Sequence, residues 1–262
     1  MNPALWISKT GLDAQQTDIS VISNNLANAS TVGYKKSRAI FEDLLYQNIN
    51  QPGGRSSQDT ELPSGLMLGA GSKVVANQKN FSQGNMQSTE NSLDWMIKGP
   101  GFFEIQMPDG TVAYSRNGQF TTDENGRVVT SGAGFPVQPE MNVPDDAKSI
   151  SISQDGEVSV TIAGQAENVV IGQLVISDFI NPSGLEPIGQ NLYTETAVSG
   201  APVQGNPSVD GLGSIVQGAL ETSNVNVTEE LVNLIETQRV YEMNSKVISK
   251  VDEMLSYINQ QL

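Results

Sequence analysis

A few places in the 262-residue sequence put chemically capable side chains side by side. Asp145-Asp146 and Glu229-Glu230 are adjacent carboxylates, the groups that general acid–base catalysis employs. Neighbouring residues point apart on a helix or strand, so neither pair can share a reacting atom, and both read as solvated loop or helix-start charges. Gly69-Ala70-Gly71-Ser72-Lys73 has the residue types of a phosphate loop. The Gly-Lys-Ser/Thr order is wrong and no helical pattern follows, so a turn is expected. Asp123-Glu124-Asn125-Gly126 resembles half of a calcium loop without the remaining ligand spacing or the closing Glu; a hairpin turn is expected. The chain contains no Cys and no His. Disulfides, Cys/His zinc sites, Cys–His dyads and Ser–His–Asp triads are therefore excluded. No catalytic residue, metal or cofactor is expected, and a non-enzymatic role follows.

The composition says what kind of scaffold remains. With 14 Lys+Arg against 29 Asp+Glu the net charge is −15, the wrong sign for a binder of duplex phosphates, so no nucleic-acid partner is expected. No run approaches ~18 uninterrupted apolar residues, so no membrane insertion is expected. Residues 1–10 lack a basic n-region and an apolar run, and a cleavable signal peptide is not expected. Eleven of the 12 Pro and 22 of the 25 Gly fall between residues 46 and 216, leaving the two ends free to be helical. The same middle stretch carries 7 basic and 18 acidic residues, whereas residues 1–45 carry 4 of each.

At the N-terminus Asn2-Pro3 is a cap followed by a first-turn proline. Leu5, Leu12, Ile19 and Leu26 then recur every seven residues, with Ile22 and Ala29 beside the last two, until Gly33 ends the pattern. At the C-terminus Val227, Leu234, Tyr241, Ile248, Leu255 and Leu262 are also spaced by seven, widened by Leu231, Val251 and Ile258, with Asn226 as cap and Glu229 in the capping-box position. Tyr241, on its repeat position, reads as an interface or core aromatic. At ~1.5 Å per residue these helices would be roughly 40 and 50 Å long. Neither stripe is stable alone in water, so the two ends are expected to pair with each other and with further copies of the chain. Between them, strand–turn–strand patterns occupy 101–115, 120–130 and 149–162, and 169–176 reads as a further strand. The fold class is α+β: long terminal helices pairing as a coiled coil, a β-rich central domain and an extended linker region. The divisions are 1–33 (helix), 34–75 (linker), 76–205 (β-rich), 206–224 (return linker) and 225–262 (helix).

The segment Asn24-Asn25-Leu26-Ala27-Asn28-Ala29-Ser30-Thr31-Val32-Gly33-Tyr34-Lys35 resembles the Asn-Asn-Leu-Ala-Asn…Thr…Gly-Tyr/Phe-Lys signature of the bacterial flagellar rod and hook axial proteins. The likeness returns in order at 97–103, at Tyr114-Ser115-Arg116-Asn117-Gly118-Gln119-Phe120, at 189–193, at 217–227 and at 238–246, spanning almost the whole chain. Asn24, Asn25, Leu26, Ala27, Asn28, Thr31, Gly33, Tyr34 and Lys35 carry the family motif. Ser30 stands where the family often has Asn, and Trp95-Met96 where smaller residues are common. Within the family, the length and the 47–68 segment look like the distal-rod type. Gln51-Pro52-Gly53 and Leu62-Pro63-Ser64-Gly65-Leu66 resemble that type's insert, associated with a stiff shaft.

The resemblance implies a structural subunit that polymerises helically into a hollow shaft crossing the periplasm and transmitting torque to the hook. Its implied partners are copies of itself, proximal rod proteins, the hook protein, the P-ring and L-ring proteins and the flagellar type III export apparatus. The alternative within the family is another axial subunit, of proximal rod or hook. Outside it stand a secreted β-rich binding protein and a carboxylate-only enzyme such as a glycoside hydrolase, for which no carboxylate spacing speaks.

Overall fold

Pro3 stands in the first turn of a helix, where its fixed φ and missing N–H cost nothing. That helix, α1, runs Pro3–Ala27 in the computed structural model, which describes residues 3–50, 55–57, 60–61, 65–162 and 168–261. It stops six residues short of the expected Gly33. The Thr31 amide donates to the Asn28 carbonyl at 3.1 Å and the Thr31 hydroxyl to Asn28 Oδ1 at 3.2 Å. These local bonds offer the backbone an alternative to the helical ladder. The second helix, α2, runs Val227–Gln261 without an internal Gly or Pro, and Asn226 Oδ1 caps it by accepting the Thr228 amide at 3.1 Å.

The described residues form two compact units. The first contains 1–27, 37–79 and 226–262. Here α1 packs on α2 and on an antiparallel strand pair, Ser37–Asp43 with Ser72–Lys79, which has a bulge between Ile40 and Phe41. The same chain continues into two further antiparallel pairs, Tyr46–Asn50 with Leu66–Gly69 and Arg55–Ser57 with Thr60–Glu61. The stretch read as a linker is thus a strand-paired arm. A two-stranded ribbon has no buried face to impose an apolar/polar alternation, which is why the sequence showed no period there.

The second unit contains 28–36 and 80–225. Its main sheet has the strand order 186–189, 192–194, 112–115, 102–106, 176–178, 203–205, with 137–138 also paired to 102–106. The hairpins expected at 101–115, 120–130 and 149–162 form, with registers Val112↔Gln106, Thr122↔Val128 and Ile152↔Val158. Phe102 and Phe103 point to opposite faces of the main sheet, as strand alternation requires. Phe103, Ile105, Ala113, Ile176 and Leu192 join Trp95 and Phe120 in the larger core. Phe102, Tyr114, Phe179, Leu185 and Tyr193 build a smaller aromatic one.

Two expectations change. The strand read as 169–176 is two: Val169–Gln173 pairs with 157–162, and after the buried Leu174 the chain enters the main sheet at Ile176–Asp178. A continuous apolar run cannot reveal a change of sheet. The return linker, 206–224, carries two strands, Ser214–Gln217 paired with Trp95–Lys98 and Ala219–Glu221 paired with Met86–Ser88, with Ile215, Leu220 and Glu221 buried.

Candidate assembly site

The helix pair is antiparallel, and three contacts fix its register. Asn25 Nδ2 donates to Glu230 Oε2 at 3.2 Å, the Thr237 hydroxyl donates to Asp18 Oδ2 at 3.2 Å, and a Cβ on Gly11 would lie 3.1 Å from Asn244 Nδ2. The steps are seven residues on each helix: 25, 18, 11 against 230, 237, 244. The line at which the helices meet is therefore marked by a ladder of polar and small residues. Sequence reasoning followed the apolar heptads and missed it, although Gly11/Asp18/Asn25 and Glu230/Thr237/Asn244 carry the same period. An open cleft of about 320 Å³ runs along this line, lined by Asp18, Asn25, Arg38, Glu230, Glu236 and Thr237 among others. Burial raises the Asp18 carboxyl above the usual carboxylate range, opposed in part by the Thr237 hydrogen bond.

The apolar heptads have divided fates. Ile22 and Val251 are buried, while Leu5, Leu12, Ile19, Leu26, Leu234 and Ile248 are half-buried. Val227, Leu231, Tyr241 and Leu255 stay exposed, as do Val232, Ile235, Met243, Val247, Met254 and Tyr257. Ile258 lies in the last turns of α2, its side chain outside the described residues. Apolar side chains thus surround α2 far beyond the face that meets α1.

The motif segment divides at its middle. Asn24 and Ala27 are exposed at the end of α1, whereas Asn25 is 2% exposed. Asn25 accepts the Ser37 amide at 2.9 Å and donates to the Ser37 carbonyl at 2.8 Å, mimicking a neighbouring strand. In the other unit, Asn28 and Thr31 make the turn, Tyr34 is buried, and Gly33 has φ +71. A Cβ on Gly33 would come 2.8 Å from the Asn117 amide nitrogen, so only glycine fits both the backbone and the space.

Lys35 is wholly buried and gathers three distant motifs. Its Nζ lies 2.7 Å from Glu221 Oε1 and donates to the Ser82 carbonyl at 2.9 Å. Arg116 Nη1 lies 3.5 Å from Glu221 Oε2, and its Nη2 donates to the Gly99 carbonyl at 2.8 Å. The Arg116 guanidinium stands 5.2 Å from the Phe102 ring centroid. Burial lowers both Lys35 and Arg116 from their ordinary values, and Glu221 pulls each back up. Glu221 also accepts the Gly84 amide at 2.7 Å. The motif repeats supplied Arg116 and Glu221 as likenesses, but nothing in their spacing announced that they meet Lys35.

Of the insert residues, Gln51, Pro52, Gly53, Leu62, Pro63 and Ser64 lie outside the described residues; Gly65 and Leu66 precede and open the strand Leu66–Gly69. The described arm presents Leu45 (89% exposed), Tyr46, Ile49, Leu66, Met67 and Leu68 to solvent. The chemically capable pairs of the sequence resolve into structure. Residues 69–72 turn between strands, Asp123 accepts from Arg127 Nη2 at 3.1 Å within its hairpin, and Glu230 is buried while Glu229 is exposed. Among the described residues no group of His, Cys, Asp or Glu is placed to hold a metal ion, and no helix is long and apolar enough to cross a membrane.

Three families match the chain: flagella basal body rod protein at residues 6–35, flagellar hook protein FlgE/F/G D1 domain at 96–160, and flagellar basal body rod FlgEFG protein C-terminal at 216–261. A flagellar basal-body rod protein FlgG from Buchnera aphidicola of Schizaphis graminum is 55% identical over 260 residues, covering 99% of this chain and 100% of the relative. Those of Borreliella burgdorferi and Bacillus subtilis are 47% and 40% identical, covering 99% and 96% of this chain and 98% and 96% of theirs.

Proposed function

The chain belongs to the family of FlgG flagellar basal-body rod proteins, and from that premise we propose that it is a structural subunit of the flagellar distal rod. The observation that carries the reading is the unpartnered apolar surface of α2. Val232, Ile235, Met243 and Met254 are exposed on a helix whose α1-facing side is already occupied. A helix apolar on more than one side needs more than one neighbour, and copies of the same subunit provide them. The terminal helices wind together as a coiled coil and pack with their counterparts into the wall of a hollow helical tube. The acidic 46–216 stretch, with 7 basic and 18 acidic residues, stays hydrated.

In this reading the shaft stands in the basal-body rod, joins proximal rod proteins to the hook protein, turns within the P-ring and L-ring proteins, and is built from subunits delivered by the flagellar type III export apparatus. Exposed Leu45 and the arm residues Tyr46, Ile49 and Leu66–Leu68 lie on a neighbouring subunit and stiffen the shaft. The test is direct. Concentrated full-length protein is imaged by electron microscopy, and tagged protein is located in isolated basal bodies. Helical tubes, and label confined to the rod, are expected. A protein that stays monomeric at every concentration and labels no basal-body structure would overturn the reading.

A further inference from the structure

We infer that the second unit closes last on residues 214–224, through one carboxylate that serves two buried cations. The inference rests on where each strand finds its partner. The strands 102–106, 112–115, 176–178, 186–189, 192–194 and 203–205 pair among themselves. The earlier segments of the unit do not. Among the described strands, Met86–Ser88 pairs with Ala219–Glu221 and Trp95–Lys98 with Ser214–Gln217. The Gly33 amide donates to the Glu221 carbonyl at 2.8 Å, and the Thr222 amide to the Asn85 carbonyl at 2.9 Å. The Asn224 side chain accepts the Lys36 amide at 2.7 Å and donates to the Asn80 carbonyl at 2.9 Å. Residues 33–36, 80–88 and 95–98 thus form one layer whose strand partners lie near the end of the unit, while Trp95, whose amide donates to the Gly118 carbonyl, and Phe81, packed on Phe102 and Tyr193, join it to the cores of the main sheet.

The charges make this layer all-or-none. Lys35 and Glu221 are 0% and 1% exposed and lie 186 residues apart in sequence. Without Glu221 the closed layer would hold the Lys35 ammonium and the Arg116 guanidinium without the carboxylate they share, leaving Arg116 only the weaker pull of Asp178. Neither can be buried at an acceptable cost until residue 221 is in place. Close approach reinforces the order of events: a Cβ on Gly84 would run into the Thr222 carbonyl, so the two backbones are in contact when the layer is shut. Chain that lacks residues 214–224, or has not yet received them, keeps 33–36 and 80–98 open while the main sheet is formed.

The experiment is hydrogen exchange read by mass spectrometry on the full-length chain over a urea series. In the unmodified protein, peptides covering 33–36, 80–98 and 214–224 are expected to open together at lower urea than those covering 102–115 and 176–178. In Glu221→Gln, which keeps the size and removes the charge, the first group is expected to exchange roughly a hundredfold or more faster, with the main sheet unchanged. A single urea dependence shared by both groups in the unmodified protein, or equal acceleration of both by Glu221→Gln, or acceleration of neither, overturns the inference. If Glu221→Gln fails to fold, the urea series on the unmodified protein decides alone.

Discussion

Removing the Asn25 side chain should uncouple the end of α1 from the strand that follows it. Asn25 exchanges two hydrogen bonds with the Ser37 backbone, at 2.9 and 2.8 Å, and makes a third to Glu230 at 3.2 Å. Ser37 is itself buried, so water does not replace these partners readily. In Asn25→Ala two backbone groups lose their side-chain partner, at about 1–3 kcal/mol each when left unsatisfied, or roughly 2–6 kcal/mol in all. A tenfold change in an equilibrium is about 1.4 kcal/mol. The Ser37 amide should then exchange its hydrogen at least some thirtyfold faster, with the effect spreading to the 37–43 strand and to the Glu230 end of α2. Asn25→Asp keeps the acceptor but loses the donor and adds a second carboxylate near Glu230. It should be at least as damaging at neutral pH and should recover in acid, where a protonated carboxyl can donate again. Native-state hydrogen exchange resolved to the 37–43 peptide is the assay. Unchanged exchange there in a folded Asn25→Ala protein would show that the side chain does not couple the two elements.

The two leucines of the second stripe should behave differently. Leu234→Asp places a charge at a half-buried position and is expected to weaken the helix pair by several kcal/mol. Leu255→Asp alters an exposed one and should leave the monomer intact while abolishing polymer, as sedimentation and electron microscopy would report. The raised Asp18 carboxyl means that the folded chain takes up that proton more readily than the unfolded chain. The Asp18 contribution should therefore stabilise the helix pair as pH falls through its folded value toward the ordinary 3.8 and be absent well above it. Asp18→Asn should flatten that part of the urea-midpoint profile, and an unaltered profile would count against it. Deleting 47–68 should convert straight polymers into curved ones; straight polymers after deletion would remove the stiffening role from the arm. Limited proteolysis of dilute monomer should trim the distal ends of both helices first, where Trp6, Ile7, Met254 and Leu255 are exposed.

The sequence made the helices and hairpins legible because each has a buried face that imposes a period. Leu12 to Leu26 and Val158 to Ile162 report that face through spacing alone, while Phe102 to Gln106, buried on both faces, was marked by the turn that follows it. The arm at 46–69 and the strands at 214–221 were not legible, for opposite reasons. The first buries neither side of its ribbon, so no pattern was required of it. The second pairs with segments far upstream, and only the tertiary fold reveals the partner. The site was half legible. The motif residues pointed to Asn25 and Lys35, but a buried ion trio assembled from Lys35, Arg116 and Glu221 leaves no local signature, since each charge looks like surface until its partner is known. The helix seam was hidden by expectation: apolar heptads draw the eye, yet the contacts that fix its register are made by Gly11, Asp18, Asn25, Glu230, Thr237 and Asn244.

That polar ladder also acts as a gauge. In each of its rungs the residue numbers add to the same value, so a slip of one heptad, about 10 Å of travel, in the direction that brings Glu230 toward Asp18 would set two carboxylates face to face. An all-leucine seam would accept such a slip at little cost; this one rejects it. Copies built to one gauge place their ends at one distance, and a long object made from many of them does not accumulate error along its length. The residues that set the register of the helices are the ones that hold them to tolerance.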